Sequence, residues 1–230
     1  MKFRIVYDGE LFSSQPSENN GSGKHVKMAE HKHEIRGQMN SQLKNLLQKH
    51  PTLSTFEYCP ECQMNHAFQT QGGVGGDHKK IDLTHCILEN PLTVESNKNL
   101  GNDYFKFCPL VSKALGLRCS LDILLLREGQ VAGVYKSGDL DNRLKTLIDG
   151  LTMPRTKDQI PEAERNPSTM TEPFYTLLAD DNIIDSLKVE TDTLYKHWSD
   201  NEERKKAWVT AIITVDVRPI TPNFVSLSFI

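Results

Sequence analysis

Residues 137 to 151 read SGDLDNRLKTLIDGL, which sets Asp139, Asp141, Lys145 and Asp149 in and beside one short helix. At 3.6 residues per turn, Leu140, Leu144, Leu147, Ile148 and Leu151 form an apolar face. Asp141, Lys145 and Asp149, spaced i, i+4 and i+8, form a stripe that drifts from that face by about 40° per step. This spacing puts Asp141 at the border of core and solvent, where a carboxylate is partly desolvated and held by its neighbours, a good position for a ligand. Asp139, just ahead of the helix, can cap backbone N–H groups or turn toward a cation. A second acidic element, LLADDNII, places Asp180 and Asp181 between two apolar strands. Burying two adjacent acids there costs free energy unless a cation compensates. Oxygen ligands of this kind suit Mg²⁺, or Mn²⁺ in its place, which bind one or two protein carboxylates and leave other positions to water and phosphate. The chemistry is that of phosphate esters: the cation acidifies a bound water and stabilises the leaving 3′ oxygen, while Lys145 neutralises charge on the phosphate. The bland alternative makes Asp139 an N-cap, Asp141 a first-turn acid, Lys145 an ion-pair partner, and Asp180 and Asp181 an exposed tight turn.

The flanking sequence must supply the scaffold. Residues 2 to 7 alternate as a strand, and SSQPSENNGSG after them is a polar loop. From about 26 to 49, Ile35, Met39, Leu43, Leu46 and Leu47 mark an amphipathic helix whose basic face is expected to stay exposed. LRCSLDILLLREGQ reads as a strand ended by a turn, and the segment with Pro154, Pro161, Pro167 and Pro173 as a long loop. FYTLLADDNIIDSLKVETDTL gives a strand, an Asp-Asp break and a second strand, in which Leu187, Val189 and Thr191 alternate with Lys188, Glu190 and Asp192. AWVTAIITVDVRPI is the last strand. The expected class is α/β (α+β), a compact mixed or antiparallel sheet with packed helices. Residues 1–50 and 106–230 would form the main domain, with 51–105 as an insertion.

GDLDNRLKTLIDGL followed by LLADDNII resembles the RusA-like crossover-junction endodeoxyribonucleases, the Holliday junction resolvases of bacteria and phages. The match covers roughly residues 118 to 218, with a looser one over the first strand and helix. The resemblance implies a Mg²⁺-dependent endonuclease for branched DNA, working as a homodimer on the two strands of a four-way junction. It implies Asp139, Asp141 and Asp181 as catalytic metal ligands and Lys145 as the catalytic cation, with Asp149 and Asp180 in support. This chain is longer than the small resolvases, and its Pro-rich loop before LLADDNII replaces a shorter link.

A net charge of −3, from 27 basic and 30 acidic residues, does not mark a nucleic-acid binder. Residues 24 to 50, however, carry Lys24, Lys27, Lys32, Arg36, Lys44 and Lys49 against Glu30 and Glu34, beside His25, His31, His33 and His50. That segment can follow a phosphate backbone, or simply be a solvated helix. Five cysteines without a secretory leader argue for reduced thiols or metal ligands, and for a cytoplasmic protein without membrane spans. Cys59, Cys62 and His66 in CPECQMNH are candidates for half of a structural Zn²⁺ site that His85, Cys86 or Cys108 would complete. GGVGGDHKK lacks the ending of a P-loop and reads as a flexible link. Trp198 and Trp208 are expected to anchor the ends of SDNEERKK in the core. Two other functions fit the acidic motif: a non-catalytic relative binding DNA or protein, and a glycosyl- or nucleotidyl-transferase holding a metal–nucleotide at Asp139 and Asp141.

Overall fold

The computed structural model describes residues 1–13, 23–50, 107–113, 115–128, 140–164, 174–195 and 208–220. The regular elements are β1 (Lys2–Glu10), α1 (Gly23–Lys49), β2 (Phe107–Val111), β3 (Leu117–Arg127), α2 (Leu140–Leu151), β4 (Phe174–Leu178), β5 (Ile184–Thr193) and β6 (Trp208–Pro219). Short 3-10 turns occupy Lys157–Gln159, Glu162–Glu164 and Asp181–Ile183. The class is mixed α+β. Residues 51–105, and with them Cys59, Cys62, His66, His85 and Cys86, lie outside the described residues, as do Asp139, the GGVGG link, Trp198 and SDNEERKK.

The main sheet has the order β1-β6-β3-β5, antiparallel except for the β3–β5 pair. Alternation in β3 and β6 sends Leu117, Cys119, Leu121, Ile123 and Leu125, with Val209, Ala211, Ile213, Val215 and Val217, to a single buried face. Register aligns Ile5, Ile213, Ile123 and Val189 in one row across all four strands. Against this face α1 lays Ile35, Met39, Leu43 and Leu47, a 3.6-residue stripe, all in the common core. Leu187, on the side of β5 expected to pack, remains 42% exposed, because β5 is the last of the described strands in this sheet.

β1 runs to Glu10, three residues past the expected strand. As the other end strand it exposes backbone groups that α1 satisfies: Val6 N–H donates to Gln42 Oε1 at 2.8 Å and Gln42 Nε2 donates to Val6 O at 2.7 Å. Gln38 does the same for Asp8, with 3.1 Å in each direction. The match is geometric, since four helical residues rise about 6 Å and two strand residues about 6.8 Å. Trp208, expected in the core, is half-buried and donates its indole N–H to Asp8 Oδ1 at 3.0 Å.

A second, parallel pair joins β2 to β4, and Thr152 extends it by bridging to Leu178. β2 was not expected from the sequence: FCPLV is buried at every position and so shows no alternation, and it contains Pro109. Cys108 is fully buried in it. Cys119 is buried in β3, and burial, reinforced by the charges of Asp185 and Asp216, pushes its thiol up to about 12.

The helix α2 buries Arg143, Thr146, Leu147, Gly150 and Leu151, whereas Leu140, Leu144 and Ile148 are only partly covered. Its inner face is thus rotated from the apolar stripe. Two polar residues find internal partners: Arg143 Nη1 donates to Leu11 O at 2.5 Å, and Thr146 Oγ1 to Asn142 O at 3.0 Å. Gly150 is the point of closest approach to α1, where an added Cβ would stand 2.6 Å from Ile35 Cγ2.

Candidate active site

The rotation of α2 moves Asp141 outward. It is exposed rather than at the core border, and its Oδ1 accepts from the Asn142 N–H at 2.8 Å. Lys145, one turn on, is exposed too. Asp149, a further turn along, is 30% exposed and ion-paired with Lys32 Nζ at 2.7 Å. Eight residues of helix separate Asp141 from Asp149, about 12 Å along the axis.

Asp180 and Asp181 stand where the chain leaves β4 and enters β5. They form the tight turn of the bland alternative: Asp180 is the N-cap of the 3-10 turn and its Oδ1 accepts from Asn182 N–H at 2.9 Å. The compensating charge is Arg155, from the Pro-rich loop. Its Nη2 lies 2.6 Å from Asp180 Oδ2 and 3.1 Å from Asp181 Oδ1, with Asp181 58% exposed. For Asp180, burial acts to raise the pKa, but it is outweighed by the Asn182 N–H, the Asp181 hydrogen bond and the charges of Arg155 and Lys113. The carboxyl is held below its ordinary range.

A cavity of about 150 Å³ lies between these elements, lined by Lys32, Arg36, Asp149, Arg155, Gln159 and Asp181 together with Thr152 and Met153. It therefore brings Asp149 and Asp181 to one space, and it does not include Asp141 or Lys145. Among the described residues, no three His, Cys, Asp or Glu side chains converge so as to hold a metal ion. Asp180 and Asp181 meet the Arg155 guanidinium instead, and the cavity sets three cations, Lys32, Arg36 and Arg155, against two carboxylates, a lining that does not suit a divalent cation as it stands.

The cations of this cavity correct the expectation of an exposed basic face on α1. Arg36 is 2% exposed, and its guanidinium donates to Thr152 O at 2.8 Å, Asp149 O at 3.0 Å and Gln159 O at 3.2 Å. Burial lowers its pKa to about 10 against the opposing pull of Asp149, so it stays charged at neutral pH. It thus ties the C-terminal carbonyls of α2 to the following loop, where a positive charge is favoured by the helix dipole. Lys32, Arg36 and Arg155 were not singled out for this site because their partners lie between 25 and 123 residues away, beyond any local spacing rule.

His33, from the same helix, reaches the loop as well, with Nε2 2.7 Å from Glu164 Oε2. Among the described residues, no helix is long and apolar enough to cross a membrane. No family model, curated protein or solved structure matches the chain.

Proposed function

We propose that the chain is a Mg²⁺-dependent endonuclease that hydrolyses phosphodiester bonds in branched DNA such as Holliday junctions, as its RusA-like motifs imply. What supports the reading is the pair of acidic motifs, of which Asp149 from the first and Asp181 from the second line one cavity. Asp149 lines that cavity from α2, the helix that also bears Asp141 and Lys145. The resemblance would give the Mg²⁺ or Mn²⁺ to Asp139, Asp141 and Asp181, with Asp149 and Asp180 in support, although Asp141 lies outside the cavity that Asp181 lines. A bound cation would supply Lewis-acid stabilisation and an acidified water. Lys145, exposed on α2, offsets the phosphate charge. Under this reading the protein is a cytoplasmic homodimer that presents two such sites to the two strands of a junction.

One observation favours a second reading. Arg155 already neutralises both acids of the turn, which is what a non-catalytic DNA- or protein-binding relative would retain.

The deciding experiment compares a synthetic four-way junction with a linear duplex of the same sequence, in Mg²⁺, Mn²⁺ or EDTA. Wild type is expected to make paired, metal-dependent nicks on the junction, and Asp141→Asn and Asp181→Asn to abolish them. A wild-type protein that binds the junction but leaves it uncut in both metals refutes the nuclease and leaves the binding relative.

A further inference from the structure

We infer that the outer face of the main sheet docks a second copy of this chain, stacked face to face about a two-fold axis that crosses the strands at Val6, Ile212 and Leu124. The inference gives the homodimer of the reading above a surface, and it rests on none of the nuclease chemistry.

Strand register sets out that face in rows across β1, β6, β3 and β5. The middle row is Val6, Ile212, Leu124 and Glu190. On one side of it lie Arg4, Thr214, Asp122 and Lys188, and on the other Asp8, Thr210, Leu126 and Asp192. Every residue of these rows is half-buried or exposed, whereas Ile5, Ile213 and Ile123, one position along each strand, are buried beneath α1. Val6, Ile212, Leu124 and Leu126 stand outside the core, with Val6 40% exposed. They make an apolar strip with unlike charge on its two sides.

Such a face matches its own copy turned end for end. A two-fold axis lying across the strands sets each strand over its own copy, running the opposite way. The apolar row then falls on itself. Arg4 comes opposite Asp8 of the second copy and Lys188 opposite Asp192, each pair occurring twice, while Asp122 comes opposite Leu126. An axis along the strands would instead set like charge over like. Glu190 meets its own copy at the rim, where Lys188 of the same chain lies 2.9 Å from it. The twist of about 30° between stacked sheets shifts these pairs without exchanging the two sides. Two cations against four acids make the same face a poor track for a phosphate backbone.

Four strands about 4.8 Å apart, over the nine residues of β1 at about 3.4 Å each, give a footprint of roughly 500–600 Å² per copy. That is the size of a weak, reversible interface. The cavity lined by Asp149 and Asp181 has Lys32 and Arg36 of α1 in its wall, on the opposite side of the sheet, so stacking leaves it open.

The test is sedimentation equilibrium of the full chain, without DNA or metal, from micromolar to near-millimolar concentration. It compares wild type, Val6→Glu, Lys188→Glu and Lys188→Glu/Asp192→Lys, with folding checked by circular dichroism. Wild type should dimerise reversibly. Lys188→Glu turns two attractive pairs repulsive at once and should weaken the dimer about tenfold. The double variant exchanges the two signs and should return it to within about threefold of wild type. Val6→Glu places two acids on the axis and should abolish the dimer. Lys188 and Asp192 are exposed, so the rescue can be read even if Val6→Glu loses its fold.

A chain that stays monomeric overturns the inference, as does a Lys188→Glu loss that the double variant fails to recover. Pairing through the edge of β5 would respond to Lys188→Glu and ignore Val6→Glu on the far strand, and that pattern overturns it too. Each of these results leaves metal-dependent cutting to its own test.

Discussion

Replacing Arg36 with methionine keeps the length of the side chain and removes the charge that joins α1, the end of α2 and the Pro-rich loop. The three carbonyls of Asp149, Thr152 and Gln159 lose their guanidinium donor together. Hydrogen bonds from a charged donor contribute about 2 kcal/mol each, so the gross loss is about 6 kcal/mol. Burial of the charge works in the opposite direction. The fall of the Arg36 pKa from 12.5 to about 10 corresponds to about 3 kcal/mol already lost on folding, at about 1.4 kcal/mol per pH unit. Arg36→Met should therefore destabilise by about 3 kcal/mol. With a urea slope of about 2 kcal/mol per molar, the midpoint at pH 7 drops by about 1.5 M. Arg36→Lys, which can satisfy fewer of the three carbonyls, should fall between the two. A midpoint that Arg36→Met leaves unchanged or raises would refute the reasoning, since the burial cost would then equal or exceed the value of the bonds.

Gly150→Ala should destabilise by about 1–3 kcal/mol in spite of alanine's better helix propensity, because the new Cβ meets the branched Ile35 side chain at 2.6 Å; a raised melting temperature would show that α1 can retreat. Burial lowers the pKa of His31 and of His33, against the raising pull of Glu34 and Glu164. A folded pKa below the ordinary value of about 6.5 makes the unfolded chain the stronger proton binder. Stability is then complete above about pH 6.5 and declines as pH falls from there toward the folded values. The urea midpoint should be lower at pH 5.5 than at pH 7, with the difference reduced in His31→Gln/His33→Gln, and equal wild-type midpoints would contradict the assignment.

Much of the fold that was legible in the sequence buries one side only, although β4, buried at four of its five positions, was legible as a short apolar run. β3 and β6 alternate, and Ile35, Met39, Leu43 and Leu47 recur at helical spacing, so a two-sided environment leaves its period in the residue types. β2 leaves no such trace because both of its sides are covered. The wheel of α2 misled for a different reason: it ranks residues by hydropathy, while Arg143 goes inward to Leu11 O and Thr146 can be buried because its hydroxyl is satisfied by Asn142 O within the helix. That one rotation takes Asp141 from the core border into solvent. The acids of the candidate site were visible as motifs. Their cations were not, since Lys32 meets Asp149 across 117 residues, once α1 has packed on α2, and Arg155 meets Asp180 across 25, once the loop after α2 has reached the end of β4.

The two glutamines on α1 have a consequence for how these molecules can associate. Growth of a fibril by strand addition requires two receptive edges on every molecule, one to accept and one to donate. Gln38 and Gln42 already fill the outward donors and acceptors of Val6 and Asp8 with their own amides. Over this stretch β1 is closed to an added strand, so among the described strands of this sheet β5 is the edge left to receive one. Two amide side chains, placed one helical turn apart, guard the middle of that edge.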